Sequence, residues 1–497
     1  MNIESAELRG EAQFIIYDAA RIQFPRLKFF RIVEAHRHTP KQFNRTLRPL
    51  RLLLIRPLPQ PRSSTSRAQR HTSALRAVVQ TGSNELDNLG DQAMLEVLLA
   101  RVRAGHAGAR FSIFARDAAK VRSLGIGVEQ IPVEQKPEWA VLRAVYLAAR
   151  RALPTVDRFV RTHKPRWFNS LFRMKARALV NPVALNRADI LLVSGGGFIT
   201  DVFPGQAWPV LERMHAAIRQ NIPFALLGQG IGPIRDPALL RKARAVLPHA
   251  KLIAVRETLH SLPLLLELGV SPRRIVVTGD DAIEPAYRAR SEALGKMLGV
   301  NFRVAEYAGI TQSDVDRLRS PIRKLAAKLG TELISLPVCI ANSAESASDA
   351  TVASHLVYSR ATGSDDLIPA TPAALIERIS ECRLVVTGSY HAAVFALAQG
   401  IPAVCVFNTQ YYENKFRGLA EQFGDGCELI DKSGAGFEAA LSLAITYSWK
   451  RAPDVRPSLL RAAARQIADG HEAYARLSSI VDGLQRPTDK SRRGLVA

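Results

Sequence analysis

The side chain best placed to move a proton in this sequence is His391. It lies in the stretch Arg383 to Val406, RLVVTGSYHAAVFALAQGIPAVCV. Leu384, Val385 and Val386 form a short apolar, β-rich run, the mark of a strand buried on both faces. Thr387, Gly388 and Ser389 break that run. A small-residue helix is predicted from His391 to about Gln399, with Gly400 as its stop, and Ile401 to Val406 reads as the next buried strand. The unit places His391 at the mouth of a strand-to-helix turn. In open parallel sheets, ligands sit outside the carboxyl ends of the strands. Helix N-termini there offer unpaired N–H groups to anions, and an imidazole at that point can do acid–base work. A histidine that only caps or packs a helix start fits the same position.

Other candidates lie at similar mouths. Asn88, Gly90 and Asp91 (in GSNELDNLGDQAML) fall between a predicted strand over Ala77 to Gln80 and a helix beginning at Asp91 or Gln92. Asp91 suits an N-cap or first-turn acid, or a group near a cleft. Gly195, Gly196 and Gly197 follow a predicted strand over Ala188 to Ser194, and three glycines let a backbone approach a ligand closely. Their spacing is neither a dinucleotide fingerprint nor a Walker loop. Arg256 and Glu257 end a predicted strand over Leu252 to Val255, and Ile275 to Thr278 leads into Gly279, Asp280 and Asp281.

The elements that must position these residues alternate strand and helix from residue 76 to about 285, then restart near Val300. That is the pattern of parallel, doubly wound sheets. We expect an α/β protein of two domains, at 76–285 and 298–450, with the irregular segment 285–297 as a hinge. Closing helices are predicted over Ala435 to Ser448 and Pro457 to Leu484, the latter inside a C-terminal helical segment 451–485. A chain of 497 residues is too long for one ordinary domain.

The formal charge is +23, and it is uneven. Residues 1–75 hold 14 Lys/Arg against 5 Asp/Glu, with Pro57, Pro59 and Pro61 and no sustained period, and read as a disordered or loosely attached extension. Residues 141–180 hold 10 against 1, interleaved with Tyr146, Phe159, Trp167, Phe168 and Phe172, and read as a membrane-surface element or as a solvated basic face with its aromatics turned inward. A basic tail, 486–497, ends the chain. The four cysteines have no metal-ligand spacing, so no metal is expected and three of them read as small core residues. No signal peptide or transmembrane run is visible, and a reducing cytoplasm, peripheral to the membrane, is the expected setting. No nucleic-acid-binding module is found.

Seven ordered pieces carry a resemblance: NLGDQAML, DILLVSGGGF, LLGQGIGPI, VRETLHSLPLLLELGV, TGD, GVNFR and GSYHAAVFALAQGIP, running from Asn88 to Pro402. Together they make the sequence similar to the polysaccharide pyruvyl transferase family. That resemblance implies two Rossmann-like domains facing a central cleft, as in GT-B glycosyltransferases. It implies transfer of a pyruvyl group from phosphoenolpyruvate, the donor substrate, onto a sugar as a cyclic ketal, with no further cofactor. The acceptor would belong to a cell-surface polysaccharide or its lipid-linked precursor. Such chemistry needs an acid at the methylene carbon, a base for the hydroxyls and cations for the two anionic groups. His391 and Asp91 are the catalytic candidates. Arg256 matches the family's arginine after the strand and suits a carboxylate or phosphate, or pairs with Glu257 or Asp280. Asn88, Gly196, Gly197, Ser389 and Tyr390 are candidate substrate contacts. Many relatives carry arginine where this sequence has Ser389, so Arg303, Lys415 or Arg417 must supply the missing charge. A nucleotide-sugar glycosyltransferase and a non-catalytic relative are the competing readings.

Overall fold

In a computed structural model, the structure describes residues 74–133, 185–340, 349–357 and 369–485. The extension before residue 74, the basic aromatic stretch, a short strand expected at Ile368 and the tail 486–497 lie outside these residues. Two parallel sheets form the frame. The first joins β1 (Arg76–Gln80), β2 (Arg110–Ala115), β3 (Val128–Pro132), β4 (Ile190–Val193), β5 (Gly196–Ile199), β6 (Phe224–Ile231), β7 (Leu252–Val255) and β8 (Ile275–Val277). Its order is β3-β2-β1-β4-β6-β7-β8, with β5 beside β6. The second joins β9 (Met297–Asn301), β10 (Leu333–Ser335), β11 (Cys382–Thr387), β12 (Ala403–Phe407) and β13 (Cys427–Asp431) in the order β10-β9-β11-β12-β13. Every strand pairing is parallel. The central strands are continuous apolar runs because helices cover both faces. Ile190–Val193, Leu252–Val255 and Ala403–Phe407 are buried throughout.

The helices of the first domain are α1 (Leu89–Gly105), α2 (Ala118–Ser123), α3 (Pro204–Arg219), α4 (Pro237–Val246), α5 (Ser261–Glu267) and α6 (Ile283–Arg288). The second adds α7 (Gln312–Leu329), α8 (Asp349–Val357), α9 (Pro372–Ser380), α10 (Tyr390–Ala398), α11 (Gln410–Phe423) and α12 (Phe437–Gln485). Sequence motifs set their starts: Thr311 and Asp314 form a reciprocal capping box on α7, and Thr371 and Thr409 cap α9 and α11.

Several expectations need correction. Gly196 and Gly197, two of the three glycines read only as a close-approach backbone, lie in the short strand β5. The supposed hinge at 285–297 contains most of α6, and β9 begins at Met297 rather than Val300. Helix α3 starts at Pro204, five residues before the predicted Pro209, because proline is well suited to the first helical turn. The two closing helices are one 49-residue helix that runs through Pro453 and Pro457. It starts on the second domain, where Leu441, Ala444 and Ile445 join a core with strands β9, β11 and β12. It ends on the first, where Ala473, Tyr474, Leu477 and Val481 pack with Leu75, Val79 and Ile190. Among the described residues, no helix is long and apolar enough to cross a membrane. Cys382, Cys405 and Cys427 are buried in strands, as expected.

Candidate active site

The cleft is built from the carboxyl ends of both sheets. From the first domain come the start of α1, the end of β7 and the loop after β8. From the second come the starts of α10 and α11. The first cross-domain link is backbone: Leu89 N donates to Val338 O at 3.0 Å and Ile340 N to Asp87 O at 3.1 Å. Asn88 is the N-cap of α1, and its side-chain oxygen accepts from Gly90 N (2.9 Å) and Asp91 N (3.1 Å). That capping occupies its carbonyl oxygen.

Gly90 packs directly against His391 of the second domain. A β-carbon built there would lie 2.0 Å from His391 Cγ and 2.2 Å from Nδ1, so only glycine admits the imidazole against the helix start. His391 is itself the second residue of α10, as the predicted strand–turn–helix unit required. Its Nε2 lies 3.8 Å from Asp280 Oδ2, an electrostatic contact rather than a hydrogen bond. Asp280 also lies 3.0 Å from Arg256 Nε. Arg256 donates from Nε to Gly228 O at 2.8 Å, rests Nη2 on Met94 Sδ and covers the Tyr390 ring at 5.0 Å. Arg256, Asp280 and His391 are only 3%, 4% and 6% exposed, so the imidazole and the guanidinium meet across one buried carboxylate. Arg256 Nη1 and His391 Nε2 are buried with no hydrogen-bond partner among the described residues.

The other wall is aromatic and cationic. Lys415 Nζ stands 4.5 Å from the Tyr411 ring centroid, 5.2 Å from Tyr390 and 5.8 Å from Tyr412. Tyr411 Oη donates to Gly197 O at 2.8 Å across the cleft. A β-carbon on Gly197 would come 2.7 Å from Lys415 Cε, so the glycine makes room for the lysine.

Electrostatics follow from this crowding. Burial, then the charges of Arg256 and Lys415, hold the His391 pKa well below the usual histidine value, so the imidazole is neutral at pH 7. Burial and Arg256 bring the Lys415 ammonium down to about 7, against the pull of Asp91 and Asp280. Burial raises the Asp91 carboxyl to about 6, with Arg256 and Lys415 opposing and Asp280 reinforcing the rise. Burial also raises Asp280, opposed first by Arg256.

The cleft therefore brings together His391, Arg256, Asp91, Tyr390, Lys415 and Gly197. Gly196 lies against the Phe198 ring instead. Ser389 is the N-cap of α10 but makes no side-chain cap bond, and its N–H donates to Thr387 Oγ1 at 2.8 Å. Of the three cations expected to stand in for an arginine there, Arg303 pairs with Asp349 at 2.9 Å and reaches Tyr307 Oη at 3.0 Å. Arg417 is exposed and pairs with Glu413 at 2.8 Å. Lys415 is the one that faces the cleft. Asp280 is the site residue that sequence reasoning undervalued, treating it only as a salt-bridge partner. Its signal was the TGD piece, which ends β8 beside the end of β7. Among the described residues, no group of three or more His, Cys, Asp or Glu side chains could hold a metal ion.

The family model for polysaccharide pyruvyl transferase matches residues 88–409. The chain belongs to the polysaccharide pyruvyl transferase family. The matched span runs from the N-cap of α1 to that of α11, so it includes Gly90, Arg256, Asp280 and His391 and stops short of Lys415. Comparison with curated proteins finds no match. Among solved structures, this family member is similar to a protein from Listeria monocytogenes described as a UDP-N-acetylglucosamine 2-epimerase. The two share 14% identity and a TM-score of 0.51, over 84% of this chain and 98% of that one. It also matches the spinosyn rhamnosyltransferase SpnG at 16% identity and a TM-score of 0.45, over 83% of this chain and all of that one. The first likeness concerns the fold alone: the two-domain, GT-B-like arrangement of Rossmann-like units.

Proposed function

We propose that this protein transfers the pyruvyl group of phosphoenolpyruvate to a sugar of a cell-surface polysaccharide or its lipid-linked precursor, forming a cyclic ketal. The observation that carries the reading is the pair of buried, unpartnered atoms Arg256 Nη1 and His391 Nε2, facing one cleft with the Lys415 ammonium. Two cations and an imidazole suit a donor bearing a carboxylate and a phosphate on one enol carbon. In this scheme Arg256 and Lys415 hold the two anionic groups. A proton passes to the methylene carbon, a sugar hydroxyl attacks the neighbouring carbon, phosphate leaves, and a second hydroxyl closes the ketal.

His391 is the candidate acid, although it is neutral in the empty cleft. The donor supplies the missing condition. Burial is the larger cause of the depressed imidazole pKa and stays in place; the donor's negative charge offsets the added contribution of Arg256 and Lys415, so the pKa rises from that lowered value when the donor binds. Asp91, raised to about 6, is placed to receive an acceptor proton.

Phosphate release from phosphoenolpyruvate, set against nucleotide release from a sugar nucleotide, separates this reading from a GT-B glycosyltransferase. Mass spectrometry of surface polysaccharide from cells with and without the protein tests the product, through the loss of a pyruvate-sized group. Arg256→Ala and His391→Ala should each lower turnover by more than ~10²-fold with the fold intact by circular dichroism. Wild-type turnover in either variant removes that residue from the site.

A further inference from the structure

The loop that carries Asp280 has a second face, and the proposed chemistry uses only the first. Asp280 points at Arg256 and His391, whereas Asp281 points the other way, into a buried network built on the last helix. Tyr474 Oη donates to Asp281 Oδ2 at 2.9 Å. Arg101 Nη1 reaches Asp281 Oδ1 at 2.9 Å, and its Nε reaches Glu284 Oε2 at 2.9 Å. The guanidinium also covers the Tyr474 ring at 4.8 Å.

The stripe of α12 that faces this loop is Gln466, Gly470 and Tyr474, spaced four residues apart on one helical face. A β-carbon on Gly279 would strike Gln466 Oε1 at 2.2 Å, and one on Gly470 would lie 2.8 Å from Arg101 Nη1. The loop is thus clamped without slack between α12 and the cleft. Asp281 also lies directly beneath Gly228: a β-carbon there would come 3.1 Å from Asp281 Oδ2. Gly228 O is the acceptor that holds Arg256 Nε. Two of the contacts that orient Arg256, those from Gly228 and from Asp280, therefore adjoin Asp281, while Met94 and the Tyr390 ring hold its far side.

We propose that Tyr474, acting through Asp281 and together with Arg101, is a positioning residue that sets the Asp280 carboxylate and the Arg256 guanidinium in the cleft. The inference rests on reading that cleft as the phosphoenolpyruvate site. Tyr474 touches no reacting atom, and its effect is on geometry and on the ionisation of its neighbour. Burial, reinforced by the neighbouring Asp280 charge, holds the Asp281 carboxyl up at about 6, against the charge of Arg101, the hydrogen bond from Tyr474 and the charge of Arg256. Removing that donor raises Asp281 further. Its proton then weakens the Arg101 link at a higher pH than in the parent protein.

The test is binding of phosphoenolpyruvate alone to the full chain, by calorimetry between pH 5 and 8, with Tyr474→Phe. Phenylalanine keeps the ring under Arg101 and removes one oxygen. We expect affinity about tenfold weaker at pH 7, as for a small displacement of the Arg256 guanidinium from its binding geometry, and an acid limb whose midpoint moves to higher pH. Arg101→Lys, which keeps the charge but not the fork, should move the limb the same way. Arg256→Ala is the control. If Arg256→Ala abolishes binding while Tyr474→Phe and Arg101→Lys leave affinity and midpoint unchanged, the positioning role is wrong and the donor site stands. If Arg256→Ala binds as the parent does, the donor site itself is wrong and the inference falls with it. A uniform loss of affinity with no movement of the midpoint would mark Tyr474 as packing only, and would also overturn the proposal.

Discussion

Lys415 gives the cleft its pH dependence. Its ammonium is charged below about 7 and has no carboxylate partner among the hydrogen bonds and ion pairs of the described residues, only three tyrosine rings. If it holds a donor anion, its own contribution to phosphoenolpyruvate affinity should be constant below pH 7, where the Asp281 limb is the acid-side change. It should then fall as pH rises, by up to about tenfold per unit, until the pKa of the bound lysine is reached. Lys415→Arg, which does not titrate in this range, should remove that alkaline fall. Calorimetric titration from pH 6 to 9 reads both limbs, and an alkaline fall that persists in the arginine variant assigns it to another group. The same lysine shows how far residue-level reading reaches. His391 and Arg256 were legible because one opens the helix after a strand–turn break and the other follows a strand end. Lys415 was one of three equal options until α11 was seen to turn it inward, leaving Arg417 in solvent and Arg303 bound to Asp349.

At the scale of the element, the start of α1 separates support from chemistry. Asn88 was a candidate substrate contact, yet its side-chain oxygen caps the helix that carries Gly90 and Asp91. Asn88→Ala should therefore cost about 1 kcal/mol of stability, and Asn88→Ser should recover most of it. Thermal unfolding with both variants checks this, and phosphoenolpyruvate affinity that collapses in the well-folded serine variant would give the amide a direct role. Most elements could be read from local signals: apolar runs such as Leu252–Val255 gave strands. The failures share one cause, which is that tertiary packing overrode a local breaker. Pro453 and Pro457 should end a helix, but α12 is buried at Ala452, Val455 and Leu459 around them, and packing on both domains carries it through. Gly196 and Gly197, read only as a place for close ligand approach, pair with β6 as part of a strand that no local apolar run signalled.

For the whole molecule, the question is how a substrate enters. The Arg256, Asp280 and His391 cluster is nearly sealed, with Tyr411 bonded to Gly197 across the cleft and Gln422 bonded to Arg256 O. Entry requires the domains to part, and binding would then favour their closure. Gly197→Val places a branched side chain where Lys415 and Tyr411 now pack. We expect it to weaken phosphoenolpyruvate affinity by about tenfold or more by propping the faces apart, while circular dichroism stays unchanged, since Gly197 belongs to neither domain's apolar core. Unaltered affinity would mean that closure is not needed for donor binding.

The path of α12 also sets an order of assembly. Tyr474, Leu477 and Val481 complete a layer that Leu75 and Val79 begin, so that layer needs residues from both extremes of the described chain. On the ribosome, the strands that appear first are covered on that side by Leu95, Leu98, Leu99 and Val102 of α1, and the layer stays incomplete until α12 has emerged. The second domain needs the same helix, because Leu441, Ala444, Ile445, Val455 and Leu459 complete its cores. A chain cut short beyond β13 would leave both domains incomplete, a direct route to aggregation or to capture by a chaperone.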